Sequence, residues 1–231
     1  MQRPAGRAVV PQLVETAFGP EEFAVLSGVS RETLLRLKTY AGMLADWNSR
    51  HNLVSRASMA EVWRRHFWDS AQLAPLIPPT AKSLVDLGSG AGFPGLVLAE
   101  LLRERANFKI ALYESTQKKC RFLEAVASEL KLNPEIRCSR VEDASPEGFD
   151  IVAARACKPL PELLAYAQRF WTRSTIGLFL KGQNVEAELT QAHKSWRMNV
   201  QRHPSRSDAT GVILELRELR GVDPKRSPRR H

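Results

Sequence analysis

Residues 83–95, Ser-Leu-Val-Asp-Leu-Gly-Ser-Gly-Ala-Gly-Phe-Pro-Gly, constrain the fold more than any other stretch of the chain. Leu84, Val85 and Leu87 form a short apolar run that stops at a glycine cluster. That is the pattern of a buried parallel strand feeding a ligand loop. Glycines at 88, 90, 92 and 95 remove Cβ atoms where the backbone turns sharply and a ligand approaches the main chain. Pro94 suits the first turn of a helix that Leu96–Leu102 continues. Strand, glycine loop and helix make the first unit of a nucleotide-type α/β fold, with the ligand at the carboxyl end of the strand.

The spacing Gly90-x-Gly92-x-x-Gly95 matches the dinucleotide fingerprint, so a nicotinamide enzyme is one reading, and a structural turn without ligand is another. Asp86, two residues before Gly88, points elsewhere. A carboxylate there orders the loop by accepting backbone N–H groups, or takes the ammonium of an amino-acid-bearing ligand; it repels a pyrophosphate. Glu114 follows the next apolar run, Ile110–Tyr113, where a strand-end carboxylate suits a ribose diol. Nicotinamide cofactors and S-adenosylmethionine both carry that diol, so only Asp86 separates them.

At 231 residues the chain is long enough for one substantial domain with a modest extension. Its 43% hydrophobic and 26% charged residues are those of a soluble globular protein. No apolar run approaches the roughly 18 residues of a membrane span. Pro4, Gly6, Pro11 and Glu15 interrupt any signal-peptide core. Cys120, Cys138 and Cys157 are odd in number and lack C-x-x-C spacing, so neither a disulfide framework nor a zinc site is expected, and a cytoplasmic location is. The net charge of +9 suits a polyanionic partner such as nucleic acid.

In chain order, residues 1 to about 20 read as weakly ordered, with a short helix around Leu13–Phe18. Ser30 caps a helix whose Leu34, Leu37, Ala41, Leu44 and Trp47 recur at helical spacing. A second helix is predicted over Ser58–Leu76, kinked at Pro75 and stopped by Pro78-Pro79. Beyond the glycine loop, strands are predicted at 110–113, 135–141, 149–154 and 176–180, with a last one at 212–216 antiparallel to 198–202. Helices are predicted at 117–130, 161–170 and 185–196. The expected organisation is a helical cap over 1–80, a sheet domain over 81–220 and a basic, disordered tail over 221–231.

Trp47–Ser55, His66-Phe67-Trp68-Asp69-Ser70, Asp86–Gly95, Phe149–Ala156 and Leu180-Lys181-Gly182, taken together, resemble the glucose-inhibited division protein B family. Those are the bacterial small-subunit ribosomal RNA guanine-N7 methyltransferases, and the resemblance covers roughly residues 30 to 220. It implies a Rossmann-like, seven-stranded α/β methyltransferase fold with an N-terminal helical extension. It also implies S-adenosylmethionine as cofactor and 16S ribosomal RNA, within the small subunit, as substrate. In the family, positions matching Gly88, Phe93, Val141, Glu142 and Arg155 contact the cofactor. Asp86 and Glu114 join them on physical grounds, and the loop residues Ser89 and Gly90 complete the set.

Strand-end geometry is expected to gather Gly88, Glu114, Glu142, Arg155 and Lys181 round one cleft. Glu142 is placed to accept from an adenine amino group, and the fork of Arg155 suits a carboxylate. Arg155 and Lys181 are also candidates for guanine O6 or phosphate, with Lys181 facing RNA. No catalytic acid–base residue is expected, because guanine N7 carries a free lone pair. Phe93 is expected to line the site; Trp47, Phe67 and Trp68 read as core rather than as base-stacking surfaces. His51 and His66 read as structural, the stronger alternative pairing His66 with Asp69 at the ligand mouth. Arg50, Arg56, Arg64 and Arg65 are candidates for an RNA-facing side. A monomer with no metal and no membrane association is expected. A non-catalytic RNA-binding module on the same fold is the remaining alternative; the intact glycine loop and the two cofactor carboxylates speak against it.

Overall fold

Ser83–Leu87 forms strand β1 in a computed structural model that describes residues 18–155 and 158–222. Four of its five residues are buried, as an apolar run covered on both faces must be. Its start is pinned by Asp150, whose Oδ2 accepts the N–H groups of Lys82 and Ser83 at 2.7 and 3.1 Å. Around it stand β2 (Lys109–Tyr113), β3 (Glu135–Arg137), β4 (Ile151–Arg155), β5 (Ile176–Lys181), β6 (Trp196–Pro204) and β7 (Val212–Gly221). They form one seven-stranded sheet in the order β3-β2-β1-β4-β5-β7-β6. β1 to β5 are parallel, and β7 runs antiparallel between β5 and β6. The order reverses beside β1, which puts the ligand crevice at its carboxyl end.

Side-chain alternation sorts the core into two halves. Leu84, Leu112, Ala153, Leu178 and Ile213 face one side, shared with the N-terminal helices and with α5 (Gly95–Leu101) and α6 (Gln117–Glu129). Val85, Ala111, Val152, Phe179 and Leu214 face the other, covered by α7 (Leu160–Ala167) and α8 (Val185–Ala192). The N-terminal helices are therefore continuous with the core of the sheet. Arg36 ties them to α5 through the buried Glu100, 2.6 Å away.

Among those helices, α2 (Arg31–His51) is capped by Ser30, whose hydroxyl accepts the Thr33 N–H at 3.1 Å. Its buried stripe is Leu37, Tyr40 and Leu44. Ahead of it lies α1 (Pro20–Ser27), which the sequence reading passed over. The signals were present: Pro20 opens it, Glu22 accepts the Gly19 N–H at 2.9 Å, and Gly28 ends it. The long second helix is broken into α3 (Arg56–Ala60), a π-helical turn at Trp63–Trp68, α4 (Asp69–Ala71) and a 3₁₀ turn at Ala74–Leu76.

Element boundaries also differ downstream. β3 ends at Arg137 and Val141–Asp143 form a 3₁₀ turn, so the edge strand is shorter than expected. α8 ends at Ala192, and Trp196 opens β6 because its ring packs against the α7 and α8 side of the sheet. Cys120 and Cys138 are paired in a disulfide, contrary to the expectation from cysteine count. Cys120 on α6 and Cys138, the residue after β3, lie with their Cα atoms 5.9 Å apart although they are 18 positions apart in sequence. The expected Leu13–Phe18 helix and the basic tail fall outside the described residues, except for Phe18, Gly221 and Val222. No helix among the described residues is long and apolar enough to cross a membrane.

Candidate active site

Asp86 sits near the end of β1 on the side of the sheet that faces α5 and the N-terminal helices. It is fully buried. One carboxylate oxygen accepts the Gly95 N–H at 3.0 Å, and the other is buried with no hydrogen-bond partner among the described residues. Burial pushes its carboxyl up to about 6, against the hydrogen bond from Gly95 and the nearby charge of Arg155. Glu114, after β2, holds the other side of the loop: its two oxygens accept the N–H groups of Gly90 at 3.0 Å and Thr116 at 2.7 Å. Each oxygen keeps a second lone pair for a diol.

The glycine loop is shaped against the N-terminal helices. Gly92 has φ +95°, and a Cβ there would lie 2.7 Å from Leu96 and collide with the Tyr40 hydroxyl. That hydroxyl donates to the Ala91 carbonyl. Phe93 is buried, its ring stacked at 5.3 Å on Tyr40 and at 4.8 Å on His66. The Arg155 guanidinium lies 5.2 Å from the centre of the same ring.

Arg155 ends β4 on the same side of the sheet as Asp86, since Ala153 pairs with Asp86 and side chains repeat every two residues. It donates to the Arg65 carbonyl at 2.8 Å and stands 4.0 Å from Asp69. A loop rich in glycine and a half-buried arginine thus meet at one aromatic ring, with a strand-end carboxylate that keeps one oxygen unpaired on the same side of the sheet.

Residues 33–211 match the family described as rRNA small subunit methyltransferase G. The chain belongs to that family. Ribosomal RNA small subunit methyltransferase G of Parvibaculum lavamentivorans is 46% identical over 215 residues, covering 92% of this chain and 93% of the relative. The protein of the same name from Caulobacter vibrioides is 44% identical over 215 residues, covering 93% and 97%. Among solved structures, an O-methyltransferase from Bacillus cereus in complex with SAH aligns with TM-score 0.54 at 13% identity, covering 87% of this chain and all of that one. The mitomycin 7-O-methyltransferase MmcR aligns with TM-score 0.54 at 12% identity, covering 86% and 71%. At those identities the likeness establishes the fold.

The fold is the Rossmann-like methyltransferase fold, the cofactor is S-adenosylmethionine, and the nicotinamide reading of the glycine spacing falls away. The donor and acceptor set suits an amino-acid-bearing nucleoside: a buried unpaired carboxylate oxygen for an ammonium, a half-buried arginine for a carboxylate, and Glu114 for a ribose. Val141 is half-buried and Glu142 exposed on the turn after β3, where Glu142 accepts from the Tyr166 hydroxyl at 2.8 Å. Ser89 is buried with its hydroxyl turned to the Asp86 carbonyl at 3.3 Å, so its contribution lies in loop shape. Gly88 and Gly90 occupy the turn itself, both at positive φ.

Lys181 departs from the expected cluster. Strand alternation puts its side chain with Phe179, on the face opposite Asp86 and Arg155, where it pairs with Glu188 at 2.6 Å and donates to the Lys158 carbonyl at 2.9 Å. A lysine engaged in this way is not displayed to RNA. Nor does His66 pair with Asp69: Asp69 accepts from Ser207 at 2.7 Å, and both ring nitrogens of His66 are buried without a partner among the described residues. The π-helical turn alters the one-turn geometry on which that pairing relied. Tyr40, against Phe93, was missed as a candidate site residue, and His66, also against Phe93, was raised only as a partner of Asp69. The His-x-x-Asp-Ser segment was the one available signal for His66; Tyr40 left none beyond its place on the buried stripe of α2.

Proposed function

We propose that this methyltransferase methylates N7 of a guanine in small-subunit ribosomal RNA, without a general base. The family match across residues 33–211, spanning both the helical segment and the sheet, carries the reading. The chemistry of the site supports it. His66 is held down to about 3 by burial and by the charges of Arg155 and Arg65, far below the pKa near 7 that suits a base at neutral pH. Asp86 spends one oxygen on Gly95. An exocyclic amine or a hydroxyl would call for a base; N7, with a free lone pair on the base edge, does not.

When bound, S-adenosylmethionine supplies an electrophilic methyl group on a sulfonium. The chain's own residues then act by placement. Asp86 and Arg155 hold the amino-acid end, Glu114 the ribose, and Val141 and Glu142 the adenine. Alignment of this kind is worth up to about 7–11 kcal/mol in ideal systems. Arg50, Arg56, Arg64 and Arg65 are all exposed, and the Arg65 carbonyl accepts from Arg155. This arginine-bearing side is the RNA-facing side in our reading.

The test is transfer of labelled methyl to small-subunit particles from a strain lacking the protein, beside naked ribosomal RNA, followed by nuclease digestion. Label appearing as 7-methylguanine at one position supports the proposal. Label on any other base atom overturns it.

A further inference from the structure

His66 is the buried polar group in the site that the reading above leaves without a contact. It lies on the π-helical turn Trp63–Trp68, a geometry that recurs at functional sites. Its ring is stacked on Phe93 with an interplanar angle of 23°, and it is 6% exposed. Neither ring nitrogen has a partner among the described residues. A neutral imidazole always carries one donor and one acceptor, and leaving a buried donor unpaired costs about 1–3 kcal/mol. Such a cost is tolerated where a ligand removes it.

The neighbours define that ligand's chemistry. Arg155, whose guanidinium lies 5.2 Å from the centre of the same Phe93 ring, is a half-buried cation that favours an anion. The orphaned Asp86 oxygen, on the same side of the sheet and tied through its other oxygen to Gly95, favours a cation. Two donors of this kind and one anionic acceptor complement a zwitterionic α-amino acid, carboxylate to Arg155 and His66, ammonium to Asp86. The Hoogsteen edge of guanine, N7 and O6, offers acceptors alone and would leave Asp86 unmatched.

We propose that His66 is a cofactor-binding residue that donates a ring N–H to the carboxylate at the methionine end of S-adenosylmethionine, beside Arg155. Its neutrality serves this role. An uncharged donor beside Arg155 holds an anion without placing a second cation near the sulfonium, and burial with Arg155 and Arg65 nearby keeps the proton off. The inference rests on the identity of the cofactor and stands independently of which RNA atom is methylated.

The test compares two ligands by calorimetry: S-adenosylhomocysteine, which has the amino-acid end, and 5′-methylthioadenosine, which lacks it. His66→Phe keeps an aromatic ring on Phe93 without the N–H, and His66→Asn keeps a donor. His66→Phe is expected to weaken S-adenosylhomocysteine about tenfold, the worth of one charge-assisted hydrogen bond, and to leave methylthioadenosine unchanged. His66→Asn is expected to recover part of the loss. In the wild-type protein, with no variant to fold, the ¹⁵N resonances of His66 are expected to move on adding S-adenosylhomocysteine and to stay put with methylthioadenosine. Equal weakening of both ligands, or a His66 resonance indifferent to S-adenosylhomocysteine, overturns the assignment. Unchanged S-adenosylhomocysteine binding with lost transfer also overturns it and moves His66 to the guanine. Wild-type binding with label on a base atom other than N7 would instead count against the proposed function and leave His66 untouched.

Discussion

The Asp86 carboxylate accepts the Gly95 N–H at 3.0 Å, closing the glycine loop onto the strand that feeds it. The contact is close enough that a Cβ on Gly95 would lie 2.6 Å from the same oxygen and would also collide with Leu112. Gly95→Ala is therefore expected to destabilise the protein by about 2–3 kcal/mol through overpacking. It should also weaken S-adenosylhomocysteine, because the loop cannot move away without losing the hydrogen bond. Urea denaturation and calorimetry on the same variant check both effects. A variant with wild-type midpoint would show that the loop gives freely.

Asp86 also makes a pH-dependent prediction. Its folded pKa, about 6, lies above the ordinary carboxylate value of 3.8, so the folded protein binds that proton more tightly than the unfolded chain. Stability from this group is fullest below about 3.8 and is lost as pH rises through 6. The loss corresponds to up to about 3 kcal/mol above that range. Asp86→Asn is expected to stabilise the ligand-free protein by about 1–3 kcal/mol at pH 8, with the gain vanishing near pH 4. The same variant should bind S-adenosylhomocysteine more weakly at pH 8, because the ammonium loses its counter-charge. Parallel melts at the two pH values, with and without ligand, read the sign directly.

Tyr40 reaches from α2 to the Ala91 carbonyl inside the glycine loop. Tyr40→Phe keeps the stack on Phe93 and strands that carbonyl. A loss of about 1–2 kcal/mol is expected. That amounts to a fall in melting temperature of roughly 2–8 °C for a domain of this size. Affinity for S-adenosylhomocysteine should fall with it if α2 braces the loop; unchanged affinity would limit Tyr40 to the core.

Glu100 is buried on α5 and held by Arg36 at 2.6 Å and Arg103 at 2.9 Å. Replacing both arginines by alanine leaves a buried carboxylate without a partner. Because the arginines are partly exposed, the expected cost is about 2–4 kcal/mol, somewhat below that of breaking a fully buried pair. Adding Glu100→Leu to the double variant should recover most of it. Failure to recover would place the cost in the lost arginine packing instead.

Much of the architecture was readable residue by residue. Ser30 as a cap, the apolar runs at 84–87, 110–113 and 176–180, and the antiparallel pairing of 212–216 with 198–202 all report local chemistry: a hydroxyl before a helix, or β-rich stretches between turn signals. The long helix over 58–76 was overridden. Its apolar spacing suits a continuous helix, yet packing Phe67 and Trp68 into the core together with His66 against Phe93 is met by a π-helical turn, which adds a residue to one turn. The cysteine pair was missed for a related reason: sequence spacing does not say that α6 and β3 lie side by side.

For the candidate site, the roles of Asp86 and Glu114 in holding the glycine loop were legible because a carboxylate at a strand end lies within reach of the loop's N–H groups. That chemistry is local, and composition and motif spacing carry it. Which face of the sheet a strand-end side chain enters is not local. Arg155 and Lys181 look alike in sequence, each ending a parallel strand, but the period of two along β4 and β5 sends Arg155 to the Phe93 side and Lys181 to Glu188 on the other. His66 reaches Phe93 of the glycine loop, 27 positions further along the chain, through a turn whose geometry is set by packing. Short-range chemistry narrowed the kind of ligand; the two-sided packing of the sheet decided which side chains gather at the glycine loop.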